Sequence, residues 1–182
     1  MRLHKIFFWT LSLGLLLAIP TGRAQTPAPS LNQVKVAFLY NFAKFVDWPP
    51  EAFAGEKSPF VIGILGDNPF GSMLEQMVAG RNINDRPITV QKFQGNDAAI
   101  TNCQILFISG SEKTHFAAIL QKLQGSSVLT VSEDGGFLGA GGMINFVVVA
   151  GKIRFEINDG NAKAAHLKIS AKLLSLAVQS SD

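Results

Sequence analysis

The residues best suited to bind an anion follow a predicted strand in the first half of the chain. Gly66 and Gly71 are separated by four residues, which is the glycine spacing of a phosphate-binding loop. That loop requires a lysine next, to neutralise the β- and γ-phosphates, and this chain has Ser72 there. The glycines also lack the spacing of a dinucleotide fingerprint. Nucleoside triphosphate binding is therefore not expected, and a strand-to-helix turn capped by Asp67 or Asn68 is the simpler interpretation.

A second segment rich in glycine spans residues 134–142, with five glycines between Gly135 and Gly142. Such a segment can present backbone N–H groups to an anion. The same composition is typical of a flexible connection. We favour the flexible connection, and the anion site remains an alternative.

Side chains that perform catalysis are sparse. His115 and His166 are far apart and belong to no HExxH motif or Cys/His cluster, so a zinc site is not expected. No G-x-S-x-G motif marks a nucleophilic serine. Glu133 and Asp134 are neighbouring carboxylates in a polar loop, where such groups are usually solvated. We therefore expect no catalytic residue, no metal and no cofactor, and a role other than that of an enzyme.

The elements that must position these residues alternate between strand and helix. Helical segments separate the first four predicted strands, and the last two flank Ala150 and Gly151 as a tight hairpin. The predicted strands are PFVIGIL, RPITVQKF, QILFIS, SVLTVS, MINFVVV and KIRFEIN. This order predicts a single-domain α/β sandwich with a mostly parallel sheet, an antiparallel hairpin at one edge and helices on both faces.

Polar residues follow three of the predicted parallel strands. Asp67 and Asn68 come after the first strand, Ser109 ends the third and Ser132 ends the fourth. Ligands of α/β sheets bind beyond the carboxyl ends of the strands. If the protein senses a small molecule, these four residues are the predicted ligand contacts.

The first predicted helix, residues 31–48, has more apolar residues than one face can bury. Its main stripe follows steps of three and four residues. The stripe consists of Leu31, Val34, Phe38, Phe42 and Phe45. Leu39, Tyr40 and Trp48 fall outside it, so we predict that they contact a dimer mate or a partner protein. The alternative is that the closing helix, predicted over residues 162–178, buries them.

The single cysteine is Cys103, so no intramolecular disulfide can form. It lies between Ile100 and Ile105, just before a strongly apolar strand. We therefore expect a buried thiol.

The N-terminus has the three parts of a secretory signal peptide. Arg2 and Lys5 precede an apolar stretch over residues 6–19, which is shorter than the ~20 residues of a membrane-spanning helix. Small residues then precede a cleavage site after Ala24. We expect a signal peptide at residues 1–24, a short polar linker at 25–30, an α/β domain at 31–180 and a periplasmic location.

Removal of residues 1–24 changes the charge of the chain. The full chain has a formal net charge of +3, and the removed segment carries three basic residues, Arg2, Lys5 and Arg23, and no acidic ones. The remaining chain is formally neutral. The basic isoelectric point therefore does not argue for a nucleic-acid partner.

From VKVAFLYNFAKFVDWP onward the sequence resembles the YfiR-like family of exported bacterial proteins. The resemblance continues through VIGILGDNPFG, CQILFIS and VLTVSEDGGFLGAGGMINFVVVAGKIRFEIN, and ends at LKISAKLLSLA. It covers nearly all of the chain after the signal peptide, with its motifs in the same order.

The resemblance implies a regulatory role. A characterised relative is a periplasmic repressor that binds the periplasmic portion of an inner-membrane diguanylate cyclase, and so limits cyclic di-GMP and biofilm formation. That relative forms dimers and has cysteine pairs, whereas this chain has Cys103 alone. The implied partner is the periplasmic portion of a membrane-bound signalling protein, together with a second copy of the chain. A small-molecule sensor is the alternative hypothesis, and the two can be combined if a ligand biases partner affinity.

Overall fold

The computed structural model describes residues 28–95 and 98–179. The predicted signal peptide and the first part of the predicted linker lie outside these residues. The helices are α1 (Leu31–Phe45), α2 (Met73–Val78), α3 (Phe116–Lys122), α4 (Asp159–Ala164) and α5 (Ala171–Leu174). The strands are β1 (Val46–Asp47), β2 (Phe60–Leu65), β3 (Asn82–Ile83), β4 (Arg86–Phe93), β5 (Ile105–Ile108), β6 (Leu129–Ser132), β7 (Ile144–Val149), β8 (Lys152–Ile157) and β9 (Lys168–Ile169).

Seven strands form the central sheet in the order β3-β4-β2-β5-β6-β7-β8. The neighbours from β4 to β7 are parallel, with Ile62 of β2 beside Val90 of β4 and Ile105 of β5. Every residue of β2, β5 and β6 is buried. Strands covered on both faces need continuous apolar runs, which is why these three were recognisable in the sequence. The predicted α/β fold with a mostly parallel sheet is confirmed.

Both edges of the sheet are antiparallel. β7 and β8 form the predicted hairpin, whose turn places Ala150 at φ 49° and Gly151 at φ 72°. Two successive positive φ angles give the turn a twist that matches the flanking strands. At the opposite edge β3 pairs with β4 through a turn at Asn84 and Asp85, also with positive φ angles. This second antiparallel pair was not predicted from the sequence.

Helices cover both faces of the sheet, as predicted. The larger apolar core lies between one face and α1, α2, α4 and α5, and includes Phe42, Leu74, Ala162 and Leu173. The smaller core lies between the other face and α3, and includes Phe116. The described residues therefore form a three-layer sandwich.

The buried face of α1 differs from the predicted stripe. Ser30 and Gln33 form a capping box that begins the helix. Its fully buried residues are Val36, Leu39, Phe42 and Ala43. Leu31 is 45% exposed, and Val34, Phe38 and Phe45 are half-buried. The face of the helix that is most buried is therefore a different one from the predicted stripe, and the stripe residues Val34, Phe38 and Phe45 pack at the margin of the larger core.

The predicted closing helix over residues 162–178 is wrong. His166 adopts φ 58°, a left-handed conformation that ends α4 after six residues. Leu167 and Ile169 are both buried, at the two-residue spacing of a strand, and Ile169 pairs with Val46 of β1. Ser170 then caps α5. The spacing of apolar residues at three and four positions concealed a short strand between two short helices.

Within the described parts of the chain, no helix is both long enough and apolar enough to cross a membrane.

Candidate functional site

The polar residues predicted at the carboxyl ends of the strands lie along one edge of the sheet. The backbone N–H of Asp67, after β2, donates to Ser111 Oγ, after β5, at 3.0 Å. Ser132 Oγ, at the end of β6, donates to the carbonyl oxygen of Ile108 at 2.7 Å. The structure therefore brings the loops after β2, β5 and β6 together, as parallel pairing requires.

Asn68 and Asp67 build the turn after β2. Asn68 Oδ1 accepts from the Phe70 N–H at 2.9 Å, and Asn68 Nδ2 donates to the Gly71 carbonyl at 2.8 Å. This is an Asx turn, in which the side chain replaces a backbone hydrogen bond. The side chain of Asp67 is exposed. Asn68 is thus fully engaged, and Asp67 is the member of the pair whose side chain is open to solvent.

Ser109 and Ser132 are both buried. Ser109 Oγ accepts from the Ser111 N–H at 3.4 Å and caps the 3-10 helix Gly110–His115. Ser132 has no exposed surface. Both hydroxyl groups hold the backbone at the end of a strand, so a ligand at this edge would have to compete with these bonds.

Two ion pairs lie beyond the same edge. Lys35 of α1 pairs with Glu133, and Lys113 pairs with Asp134 at 2.7 Å. The sequence predicted solvated carboxylates here, but Glu133 and Asp134 each have a lysine partner. The charges of Glu133 and Asp134 are therefore balanced by lysines of the chain.

Asn145 is a buried polar residue that was not among the candidate site residues predicted from the sequence. It is 4% exposed and its Oδ1 has no hydrogen-bond partner in the described part of the structure. It lines a cavity of 240 Å³ with Lys35, Glu133 and Val147 among its walls. A buried amide oxygen without a hydrogen-bond partner is uncommon and costly. Asn145 interrupts an otherwise apolar strand, which was the available signal.

A larger cleft lies at the opposite edge, where the parallel strands begin. It has a volume of 850 Å³, a size usual for small-molecule sites. Gln104 is buried at this edge, with its Oε1 accepting from the Val61 N–H at 2.7 Å and its Nε2 donating to the Ala52 carbonyl at 2.6 Å. The remaining polar walls come mainly from Ser58, Asn102, Ser126, Ser127 and His166. This cleft therefore lies at the edge of the sheet opposite to the one where the sequence predicted a ligand site.

The three residues predicted to contact a partner lie in three different environments. Leu39 has no exposed surface and belongs to the larger core, so it cannot contact a partner while the monomer keeps this fold. Trp48 is half-buried: its indole N–H donates to the Gln104 carbonyl at 3.1 Å, and its ring meets Phe60 edge-on at 5.0 Å. Trp48 therefore has the contacts of a structural aromatic residue. Of the three residues, Tyr40 remains the candidate for a contact with a partner.

Tyr40 is half-buried on α1 and carries two cations on its ring. The guanidinium of Arg81 lies 4.9 Å from the ring centroid, and Lys44 Nζ lies 5.6 Å from it. Cations near an aromatic face are attracted by its quadrupole. This arrangement joins the C-terminal half of α1 to the segment after α2, and it gives the surface a positive character.

Cys103 is buried, as predicted. Burial raises the pKa of its thiol to about 12, and Sγ lies 3.2 Å from the Ile100 carbonyl. A protonated thiol that is 2% exposed cannot reach a cysteine of another chain without local unfolding. Among the described residues, no three His, Cys, Asp or Glu side chains lie close enough to hold a metal ion.

Comparison with known proteins adds to this geometry. The sequence profile of the YfiR/HmsC-like family matches residues 32–178 of the chain. A search of curated proteins finds no match. The match begins one residue after the start of α1 and extends beyond α5, so it includes every helix and strand described above except the first residue of α1.

Proposed function

The chain belongs to the YfiR/HmsC-like family, and we propose that it is an exported periplasmic regulator that binds and represses an inner-membrane signalling enzyme, such as a diguanylate cyclase. The observation that carries the proposal is the family match over residues 32–178. The family suggests periplasmic regulators of diguanylate cyclases.

The arrangement of polar groups supports a binding role. The polar side chains at the carboxyl edge of the sheet mostly cap turns or form ion pairs. General acid–base catalysis needs a titratable group within reach of a substrate, and the histidines are separated, with His115 bonded to Glu112 at 3.1 Å. By contrast, Tyr40, Arg81 and Lys44 form an accessible surface suited to a protein partner.

A genetic experiment tests the proposal. Deleting the gene in its source bacterium should raise cyclic di-GMP, and re-expressing the chain with its N-terminal segment should lower it again. Expression of a form without residues 1–24, which stays in the cytoplasm, should fail to lower it. Unchanged cyclic di-GMP in the deletion strain, across growth conditions in which the chain is produced, would contradict the proposal.

A second candidate function is small-molecule sensing. The cleft of 850 Å³ where the parallel strands begin favours it, in addition to the four residues predicted at the other edge. Native mass spectrometry of the purified protein should then detect a bound molecule that is lost on unfolding. Replacing Ser126 or Ser127 by Trp should displace the molecule if the cleft holds it, and replacing Asp67 by Ala should do so if the carboxyl edge does.

A further inference from the structure

A groove runs between α1 and α2, and we call it the α1–α2 groove. It encloses 330 Å³. Its walls are Gln33, Val36, Met73, Gln76, Met77 and Arg81. Asn32 Nδ2 donates to the Pro69 carbonyl at 2.8 Å near the start of both helices, and Arg81 meets Tyr40 near their ends. The two helices therefore run in the same direction and present one continuous furrow.

The floor of the α1–α2 groove is apolar and adaptable. Val36 is 1% exposed and forms the base. Met73 and Met77 are half-buried and pack against the larger core. Methionine side chains are flexible and polarizable, so they adjust to the shape of an incoming apolar group. The groove can accept a large apolar side chain from outside.

One end of the groove carries positive charge that nothing in the described residues neutralises. Arg81 and Lys44 both contact the Tyr40 ring, and neither forms an ion pair with a described residue. Glu75, the acidic residue of α2, pairs with Lys92 through Oε1 at 3.1 Å and forms no ion pair with Arg81 or Lys44. Among the described residues, no carboxylate therefore pairs with the cationic end of the groove.

The position of Arg81 suits it to bind a carboxylate from another molecule. A guanidinium that stacks on an aromatic face keeps its N–H donors free along its edge. Those donors match the two oxygens of a carboxylate in a bidentate pair. Stacking on Tyr40 also limits the rotamers of Arg81, so less side-chain entropy is lost when a carboxylate binds.

We propose that the α1–α2 groove docks a segment of a partner protein that presents a carboxylate beside a large apolar side chain. The apolar side chain occupies the floor between Val36 and Met77, and the carboxylate pairs with Arg81. This inference rests on the proposed regulatory function and names the chemistry of its partner. A membrane surface fits less well, because lipid headgroups are recognised by clusters of about four to eight basic residues, whereas the walls of the groove contain Arg81, with Lys44 beside them on the Tyr40 ring.

The first test selects short peptides from a random display library against the purified protein. The enriched peptides should contain Asp or Glu next to a large apolar residue. Binding should weaken by roughly tenfold or more in Arg81→Ala and in Met77→Glu. Arg81→Lys keeps the charge but not the bidentate geometry, so its affinity for the peptides should lie between those of wild type and Arg81→Ala. Arg154→Ala, an exposed arginine on β8, is the matched control and should bind as the wild type does.

Each other outcome of the selection overturns the proposal. Enriched peptides without an acidic residue, or peptides insensitive to both variants, would place recognition elsewhere. Binding to vesicles containing anionic phospholipid that Arg81→Ala abolishes, with no peptide enriched, would assign the surface to a membrane. Self-association that Arg81→Ala abolishes, again with no peptide enriched, would assign it to a second copy of the chain.

The second test separates this proposal from the regulatory function. The deletion strain is complemented with wild type, Arg81→Ala or Met77→Glu, after checking that each variant melts within a few degrees of wild type. The groove proposal expects wild type alone to lower cyclic di-GMP fully. If all three lower it equally, the groove proposal fails and the regulatory function stands. If wild type has no effect but acidic–apolar peptides are still enriched, the regulatory function fails and the groove stands.

Discussion

At the scale of single residues, Cys103 shows how burial changes chemistry. Desolvation raises the pKa of its thiol from 9.0 to about 12. Below pH 9 the thiol is protonated in both the folded and the unfolded chain, so it contributes no pH dependence. Between pH 9 and about 12 the unfolded chain loses the proton while the folded chain keeps it. The free energy of unfolding therefore falls as the pH rises through this window.

We expect this effect to appear in a matched comparison. The free energy of unfolding of wild type should fall more steeply above pH 9 than that of Cys103→Ser, by about 1.4 kcal/mol per pH unit. Serine does not titrate in this range, and lysine and tyrosine titration is common to both proteins. Urea unfolding at several pH values between 8 and 11 measures the difference. Parallel curves would show that the thiol ionises in the folded state as easily as in the unfolded one.

Tyr40 and Trp48 both lie outside the predicted apolar stripe of the first helix, yet their contacts differ. Trp48 donates a hydrogen bond to Gln104 and packs on Phe60, whereas Tyr40 packs under two cations at the surface. The sequence could not separate them, because aromatic residues serve equally in cores and interfaces.

Alanine substitution should separate them in solution. Trp48→Ala is expected to lower the free energy of unfolding by about 3 kcal/mol, since it removes a large packed ring and one of the two hydrogen bonds that the Gln104 carbonyl accepts. Tyr40→Ala is expected to lower it by about 1 kcal/mol and to weaken partner capture instead. Thermal melts and peptide binding measure the two effects. Equal destabilisation with unchanged binding would remove Tyr40 from the interface.

At the scale of elements, the glycine-rich segment has a structural explanation that its composition did not show. Phe137 lies within it, has no exposed surface and packs edge-on against Phe116 of α3 at 5.0 Å. A Cβ at Gly142 would lie 2.2 Å from the Phe137 ring. The segment folds over its own aromatic anchor, and at Gly142 glycine is required by close approach rather than by flexibility.

Two alanine substitutions in this segment should therefore differ in their effect on the free energy of unfolding. Gly142→Ala is expected to lower the free energy of unfolding by about 2 kcal/mol, because the added methyl group must displace Phe137. Gly135→Ala meets nothing within 4 Å and has no positive φ, so it should change stability by about 0.5 kcal/mol or less. Urea titrations of both variants check this. A fully tolerated Gly142→Ala would mean that the segment is mobile around Phe137.

The central strands were predictable and the C-terminal elements were not, for a physical reason. Strands buried on both faces give continuous apolar runs such as residues 60–65. Near the C-terminus, Ala165, Ile169 and Leu173 are spaced as on one helix, but His166 turns the backbone into the left-handed region between them. A periodicity argument cannot detect one residue of that kind. The same limit applies to the α1–α2 groove, which depends on how two helices pack.

At the scale of the whole molecule, the four residues predicted to contact a ligand lie at one edge of the sheet, and their role in binding stays a prediction. Parallel strands bring their carboxyl ends together whatever the side chains are, so the position followed from topology. Topology did not predict that the side chains of Asn68, Ser109 and Ser132 bond to the backbone, because this depends on local hydrogen bonds. Asn145 and the cleft of 850 Å³ needed the three-dimensional arrangement to be found.

Export is a property of the whole chain, and its sequence signals lie outside the described residues. We predict cleavage after Ala24, which leaves Gln25 as the new N-terminus in the periplasmic fraction. Mass spectrometry of the intact protein from fractionated cells measures this mass. Protein that begins at Met1 and stays embedded in the membrane would show an uncleaved anchor.

The central claim is that the chain is a periplasmic regulator that binds a membrane signalling enzyme directly. The most direct measurement is the affinity of the purified protein for the separately purified periplasmic portions of the membrane diguanylate cyclases of the same bacterium, determined by titration calorimetry. The account predicts saturable binding to one of them, weakened roughly tenfold or more by Arg81→Ala and unchanged by Arg154→Ala. Absence of binding to every such portion, with protein that is folded by thermal melting, would contradict it.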